Sequence, residues 1–340
     1  NWLVMIFTLL PKLVQSLSQF KLAYHKSLIQ FRNLRRLLRI FSSPRLSGCI
    51  LYFDSSTICT ANCIFCAYQY DNRVKQTSSL SLFKKSIDQF TSLGGEILDL
   101  TPLTGELFVS DHVLDMCDYA VSRGINSIRI TSNASLLHKV DLYKLLSYPI
   151  DNIGISISPL ASHYYKKIFR SDAYVRVLKN LSSLLSIAKE LSSSTYIGIN
   201  HRGPLSLNEC INLPDFKEYC APYLTKNTHV TSFQHNFDTW GGRISDSDLL
   251  PGMSTRPCSN NSPLLPCSRL WSIHIEPTGN VNLCGCRTNY NRSSNPLLIG
   301  NIHNQSLSSL ISSRKVFNLR ASFLFGGIND LCSKCSWYGL

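Results

Sequence analysis

At 340 residues, with 44% hydrophobic and 16% charged residues, the chain can bury a large core, and its composition excludes intrinsic disorder. Thirteen cysteines exceed what folding needs at this length, and no secretory signal precedes them, so metal is expected rather than a disulfide framework. The net charge of +13 is concentrated, because residues 1–53 hold eight Lys or Arg and no Asp or Glu, which excludes a uniformly basic protein.

The N-terminal segment opens on an apolar run, Trp2 to Leu10, broken by Pro11 and Lys12. The run is too short to span a bilayer and lacks the basic stretch that begins a secretory signal. The chain starts with Asn1 rather than Met, as a fragment or a misplaced start would. From Leu13 to Phe41 apolar residues recur at helical spacing (Leu13, Leu17, Phe20, Tyr24, Leu28, Phe31, Leu34, Leu38) among Lys21, Lys26, Arg32, Arg35, Arg36 and Arg39. Such a helix suits a cap on the bottom of the main domain, an interfacial membrane helix, or a dock for an acidic partner. A cytoplasmic protein is expected, with residues 1–45 available for peripheral contact at the inner membrane face or with an acidic partner.

From residue 49 the pattern alternates. Cys49–Phe53 reads as a strand, followed by a cysteine loop and a helix through Leu82, Phe83, Ile87, Phe90 and Leu93, stopped by Gly94-Gly95. Ile97–Leu103 is a second strand. A helix over Asp111–Arg123 turns Val113, Leu114, Cys117, Ala120 and Val121 inward and ends at Gly124. Strands follow at Ser127–Thr131, Asn152–Ile157, Thr195–Ile199 and His229–Phe233, with helices at Asp141–Ser147 and Tyr174–Leu191. Repeated βαβ units imply a parallel sheet with right-handed crossovers. Six units predict an α/β fold, a partial (β/α)6 TIM-like barrel whose chemistry gathers at the C-terminal strand ends. A small cysteine-rich C-terminal extension completes it.

The first strand leads into Cys59, Cys63 and Cys66, spaced C-x3-C-x2-C. Three thiolates at this spacing can hold three corners of a cubane cluster and leave one iron open. A four-ligand zinc or electron-transfer site wants a fourth cysteine nearby, and Cys49 and Cys117 are badly placed for it. Here the chain resembles the radical S-adenosylmethionine (SAM) superfamily, whose signature is this spacing with an aromatic residue, here Phe65, before the last cysteine. The resemblance implies a 4Fe–4S cluster whose open iron chelates the amino and carboxylate groups of SAM, with Phe65 beside the adenine. It also implies cleavage of SAM to a 5′-deoxyadenosyl radical, and a one-electron donor such as flavodoxin or ferredoxin. Tyr68 just after the loop either joins the site or packs. Thr104-Gly105-Glu106 after the second strand resembles the superfamily's Gly-Gly-Glu motif for the SAM amino group, with Thr in place of the first Gly. The literal Gly94-Gly95-Glu96 precedes its strand and so belongs to the wrong side of the sheet. Ser132 and Asn133, Ser156 and Ser158, and Asn200 follow the next three strands and suit ribose and carboxylate contacts.

A second set comprises Cys267, Cys284 after sixteen intervening residues, and the C-x2-C pair Cys332 and Cys335. With Gly279 and Ile299-Gly300-Asn301-Ile302 between them, these resemble the SPASM and twitch extensions, which carry auxiliary 4Fe–4S clusters. The chain runs only five residues past Cys335, so one auxiliary cluster is expected, fully ligated and suited to electron transfer. Two separated cysteine pairs satisfy a four-thiolate zinc site equally well, and Cys258 or Cys286 can replace a ligand. Cys49, Cys117, Cys210 and Cys220 read as core or surface thiols.

Three regions are therefore expected: a basic helical segment over 1–46, the barrel over 47–245 and the cluster extension over 246–340. Between barrel and extension, His235, Asp238, Trp240 and Arg243 either line a substrate cavity or belong to a solvated connector. Cys258 is the candidate hydrogen donor should the reaction be an epimerisation. The expected function is oxidation of a small metabolite or sugar, the auxiliary cluster accepting an electron. The few residues before the barrel tilt against the alternative, a ribosomal-peptide or protein maturase that crosslinks, oxidises or epimerises. A non-catalytic zinc or nucleic-acid-binding protein is the reading from another class, but no aromatic-basic RNA motif appears, so no nucleic acid partner is expected.

Overall fold

The computed structural model describes residues 45–257, 267–285, 295–324 and 329–338. The expected basic helix over 13–41 and the candidates Cys258 and Cys286 lie outside them.

Six parallel strands follow one another across the sheet in chain order: β1 (Ile50–Phe53), β2 (Ile97–Asp99), β3 (Ser127–Ser132), β4 (Ile150–Ile157), β5 (Tyr196–Arg202) and β6 (Thr228–Phe233). Each parallel step needs a crossover. Helices supply most of it: α1 (Leu80–Ser92), α2 (Val113–Ser122), α3 (Leu142–Leu145), α4 (Ser162–Phe169), α5 (Tyr174–Glu190), α6 (Leu207–Asn212) and α7 (Pro214–Tyr219). The sheet does not close. On the other edge of β1 it continues into β7 (Ile273–Ile275), parallel to β1, and then antiparallel β8 (Asn280–Asn282) and β9 (Leu298–Asn301). Three helices end the chain: α8 (Leu307–Ile311), α9 (Arg314–Leu324) and α10 (Asp330–Ser333).

The period of two sorts residues between the faces. Leu51, Leu98, Ile128, Ile130, Ile153, Ile155, Ile197 and Ile199 are buried with the inward residues of the helices, among them Phe83, Ile87 and Phe90 of α1. Burying each such side chain contributes about 1.5–3 kcal/mol. The alternate positions form a polar row across the other face, Tyr52, Asp99, Arg129, Asn152 and Tyr196 in register.

Local rules place the element ends. Ser79 caps α1 by accepting from Leu82 N, and the chain leaves through Gly94 at φ +80°. Glu96 then precedes β2, so Gly94-Gly95-Glu96 stands at the N-terminal end of that strand. In α2 the buried face is Val113, Met116, Cys117 and Ala120. Leu114 packs only partly and Val121 is exposed, because each lies one residue, about 100° of turn, off the stripe of Val113, Met116, Cys117 and Ala120. β2 is also shorter than expected. Asp99 Oδ1 captures Thr101 N and Asp54 Oδ1 captures Leu103 N, while Pro102 has no N–H to give a ladder.

Candidate active site

The cysteine loop is fastened at both ends. At its root, Ser56 Oγ accepts from Ile58 N at 2.9 Å, and Thr57 N donates to Gln76 O at 2.9 Å. Along its length, Asn62 N and Ile64 N donate to Phe169 O and Ile168 O, the last carbonyls of α4, at 3.0 and 2.9 Å. Tyr68 closes the loop by accepting from Cys59 N at 3.1 Å, while its own N–H donates to Cys66 Sγ at 3.4 Å. Its hydroxyl is thereby a loop anchor. Phe65 packs between Phe169 and Phe237, and its carbonyl accepts from Trp240 Nε1 at 3.0 Å.

Cys63 is buried, Cys59 and Cys66 half-buried. Burial pushes the Cys59 thiol up to about 11 and Cys66 to about 12, and Cys63 rises well above its ordinary value; the Glu106 carboxylate adds to the rise of Cys59, and neighbouring thiols to those of Cys63 and Cys66. Three such thiols ionise together only against a strong positive charge, which an iron–sulfur cluster supplies. Among the described residues no three His, Cys, Asp or Glu side chains form a cage for a single metal ion.

Thr104, Gly105 and Glu106 stand beside the loop root, where Glu106 N donates to Ile58 O at 2.8 Å. A Cβ on Gly105 would come within 2.2 Å of Ser56 O, so close backbone approach requires glycine here. The Glu106 carboxylate is buried and accepts from Ser132 Oγ at 2.7 Å and Asn133 N at 2.9 Å. Burial raises its pKa, and no cation stands among the groups that oppose the rise. A ligand ammonium group would fit that deficit. Asn133 Nδ2 reaches Thr60 Oγ1 at 3.1 Å and Cys59 Sγ at 3.8 Å.

Thr104 is occupied differently. Its hydroxyl donates to Asp71 and accepts from Arg73 Nη2 at 2.7 Å. Arg73 also pairs with Asp71 at 2.9 Å and Asp54 at 3.4 Å, and lies 3.9 Å from Glu276. His274 Nε2 stands 3.1 Å from Asp54 Oδ1, close but not aligned as a hydrogen bond, and Nδ1 has no hydrogen-bond partner among the described residues. Burial alone would raise the Asp54 carboxyl, yet His274 and Arg73 hold it below its usual value. Burial would likewise lower His274, and Asp54 instead lifts it. This buried network joins the root of the cysteine loop to β7, and nothing in the local sequence pattern announced it.

Ser156 and Asn200 are in register on β4 and β5, and Asn200 Oδ1 accepts from Thr231 Oγ1 at 2.8 Å. Ser158 is fully buried and its hydroxyl donates to Pro159 O at 2.9 Å. A residue that sequence reasoning missed ends β5. Arg202 lies over the Phe233 ring at 4.1 Å with Nε unpartnered. Burial pulls its pKa down to about 10, opposed only by the Cys63 thiol. A half-buried guanidinium with a free Nε suits an anionic ligand.

The connector bridges the two cysteine sets. Asp238 Oδ1 accepts from Ser336 Oγ at 2.9 Å, Phe237 packs on Phe65, and His235 Nδ1 lies 2.9 Å from Ser254 Oγ on the exposed side, where Arg243 is also exposed. Of the second set, Cys284 is buried after β8, and Cys267, Cys332 and Cys335 are half-buried. Asn329 caps α10 and its Nδ2 donates to Cys332 Sγ at 3.4 Å. Tyr338 is pushed up to about 12 by burial, then by the charges of Cys267 and Cys332.

Residues 267–336 match the SPASM family, described as an iron–sulfur cluster-binding domain. Among curated proteins no sequence matches the chain. Solved structures do. The chain superposes on BtrN in complex with AdoMet and 2-DOIA with TM-score 0.53 and 15% identity, over 86% of this chain and 94% of that one. For SuiB of Streptococcus suis bound to the precursor peptide SuiA the values are 0.55 and 17%, over 92% and 74%. For anSMEcpe with bound AdoMet they are 0.51 and 12%, over 85% and 83%. The chain has the radical SAM fold with a SPASM iron–sulfur extension. Six parallel strands of this radical SAM sheet carry the candidate site at their C-terminal ends, and the SPASM extension begins on the strand next to the cysteine loop. Among the described residues no helix is long and apolar enough to cross a membrane.

Proposed function

We propose that this chain is a radical SAM enzyme that oxidises a small metabolite or sugar. The observation that carries the reading is the loop of Cys59, Cys63 and Cys66 at the end of β1, with the uncompensated Glu106 carboxylate from the next strand end beside it. The three cysteines would hold a 4Fe–4S cluster, and Cys267, Cys284, Cys332 and Cys335 an auxiliary one. When bound, the first cluster supplies the electron that cleaves SAM to methionine and a hydrogen-abstracting 5′-deoxyadenosyl radical, and the second supplies an electron sink. The chain's own residues bind and orient. Glu106, held by Ser132 and Asn133, receives the SAM ammonium, Arg202 meets a carboxylate, and Phe65 with Phe169 and Phe237 provides an apolar wall for the adenine. Barrel (47–245) and extension (246–340) act as one site, and reduction is by flavodoxin or ferredoxin.

The metabolite reading draws support from the chain's span of 94% of BtrN, whose complex holds the small molecule 2-DOIA. A second reading, modification of a peptide, is favoured by the SuiB structure with its precursor peptide. Anaerobic reconstitution tests the common part. We expect about eight irons per chain, about four after Cys59, Cys63 and Cys66 are replaced by Ala, and no SAM cleavage in that variant. A colourless zinc-only preparation would sink the proposal. Deuterated substrate then separates the readings, by whether a metabolite or a peptide passes deuterium into 5′-deoxyadenosine.

A further inference from the structure

A basic groove lies against the outer side of the cysteine loop. It is lined by His138, Val175, Arg176 and Lys179 together with the Ser171–Ala173 turn between α4 and α5. Lys166 and Arg170 flank it from the end of α4 and are exposed, as are Arg176 and Lys179. Of the acids near this surface, Asp172 is matched by Lys166 at 3.3 Å and Asp248 faces Arg170. No carboxylate pairs with Arg176 or Lys179 among the described residues. Other helix cations are paired, as in Arg123–Asp88 at 2.6 Å and Lys144–Asp118 at 2.8 Å. Val175, in the middle of the basic side chains, is 62% exposed. An exposed apolar centre within a charged rim is the composition of a protein-binding surface.

The groove is wired to the loop at three points. Arg176 Nε donates to Ser135 O at 3.0 Å, and Ser135 Oγ lies 2.6 Å from Thr60 Oγ1, next to Cys59. Arg170 Nη1 donates to Gln69 Oε1 at 3.2 Å, and Gln69 Nε2 donates to Cys66 O at 3.3 Å. Between these, the α4 carbonyls hold the backbone on either side of Cys63. A partner seated in the groove would be linked to the cysteine loop through Arg176, Ser135 and Thr60 on one side and Arg170 and Gln69 on the other.

We infer that this groove docks a small acidic one-electron carrier protein, an inference that rests on the cluster reading above. One electron would pass from the carrier's reduced centre to the cluster, the carrier being oxidised and the cluster reduced by that electron. Positive charge such as that of Arg176 and Lys179, which no carboxylate pairs among the described residues, steers an acidic carrier by long-range attraction and is sensitive to salt.

The test uses the reconstituted full chain, flavodoxin as the probe, and the variants Lys166→Glu with Lys179→Glu, and Val175→Asp. Flavodoxin binding is measured by calorimetry at low salt and about 0.3 M salt. The wild type should bind in a salt-sensitive way, the double charge reversal should weaken binding about tenfold or more, and Val175→Asp should weaken it at both salts. In parallel, 5′-deoxyadenosine formation driven by dithionite should be equal in all three proteins, and flavodoxin-driven formation should fall in the variants. Wild-type flavodoxin binding by the variants overturns the docking site, as does groove-dependent binding to anionic phosphatidylglycerol vesicles in place of flavodoxin. Absence of dithionite-driven cleavage in the wild type overturns the enzymatic reading separately, since the binding measurement needs no turnover.

Discussion

Gly105→Ala isolates the contact between the second strand end and the cysteine loop. The added Cβ would stand 2.2 Å from Ser56 O and 3.1 Å from the Pro102 side chain. An ordinary contact needs more than a further ångström, and the obstacle is a backbone carbonyl that cannot rotate away. Ser56 also sits in the turn that Ser56 Oγ itself fastens through Ile58 N, so residues 104–106 must give way. That displacement stretches the 2.8 Å bond from Glu106 N to Ile58 O. Overpacking costs about 1–3 kcal/mol and the lost bond about 1 kcal/mol more, so roughly 2–4 kcal/mol is expected in urea unfolding. Gly124→Ala provides the contrast. Its φ is +92° with no atom within 4 Å of the added Cβ, so only backbone strain of about 1–2 kcal/mol applies. The two variants should separate again in iron loading of the first cluster, which Gly105→Ala impairs and Gly124→Ala leaves intact. A Gly105→Ala protein within about 0.5 kcal/mol of wild type and fully loaded would refute the close-approach argument.

Arg73→Met leaves Asp54 and Asp71 buried without their guanidinium, a change expected to cost about 3–5 kcal/mol; an unfolding midpoint like the wild type's would show the network to be idle. The His274–Asp54 pair sets a pH dependence. Because the folded His274 pKa is raised, its stabilisation is fully present below the unfolded pKa of about 6.5 and is lost as pH rises through the folded value. His274→Gln should therefore cost more stability at acid pH than at alkaline pH, and a pH-independent cost in paired denaturation curves would contradict the assignment.

Much of the barrel was legible because its information is local. The period-two runs of Ile and Leu and the stops at Gly94 and Gly124 each lie within one element, and the cysteine loop is contiguous in sequence. What escaped depends on distance or on very short elements. Helices α4, α6 and α7 have eight, six and six residues, too few for periodicity to speak. The signals of α6 and α7 were in their N-termini, the Ser206–Glu209 capping box and Pro214 at the first position of α7, whereas α4 has no side-chain cap. The network of Asp54, Asp71, Arg73, Glu276 and His274 draws on residues from opposite ends of the chain, and no spacing rule joins them. Thr104 shows the same limit. Its departure from glycine makes sense only once Arg73 and Asp71 are seen on either side of its hydroxyl. Arg202 carries no motif at all, and only its buried Nε, without a hydrogen-bond partner among the described residues, singles it out.

The pairing of β7 with β1 has a consequence for how the protein is made. Leu51 pairs with Ile273, and Asp54 N donates to Ile275 O at 3.0 Å, so the strand that leads into the cysteine loop borrows its neighbour from the far end of the polypeptide. On a ribosome adding about 5–20 residues per second, some tens of seconds separate the emergence of these partners. Throughout that interval β1 presents one bare hydrogen-bonding edge, the kind of surface that invites pairing with other chains. A barrel released without its extension would keep that edge permanently, and its aggregation would say nothing about whether the barrel sequence can fold. The cysteine-rich extension therefore covers the β1 edge of the open sheet, and chaperone demand should peak before residue 273 leaves the exit tunnel.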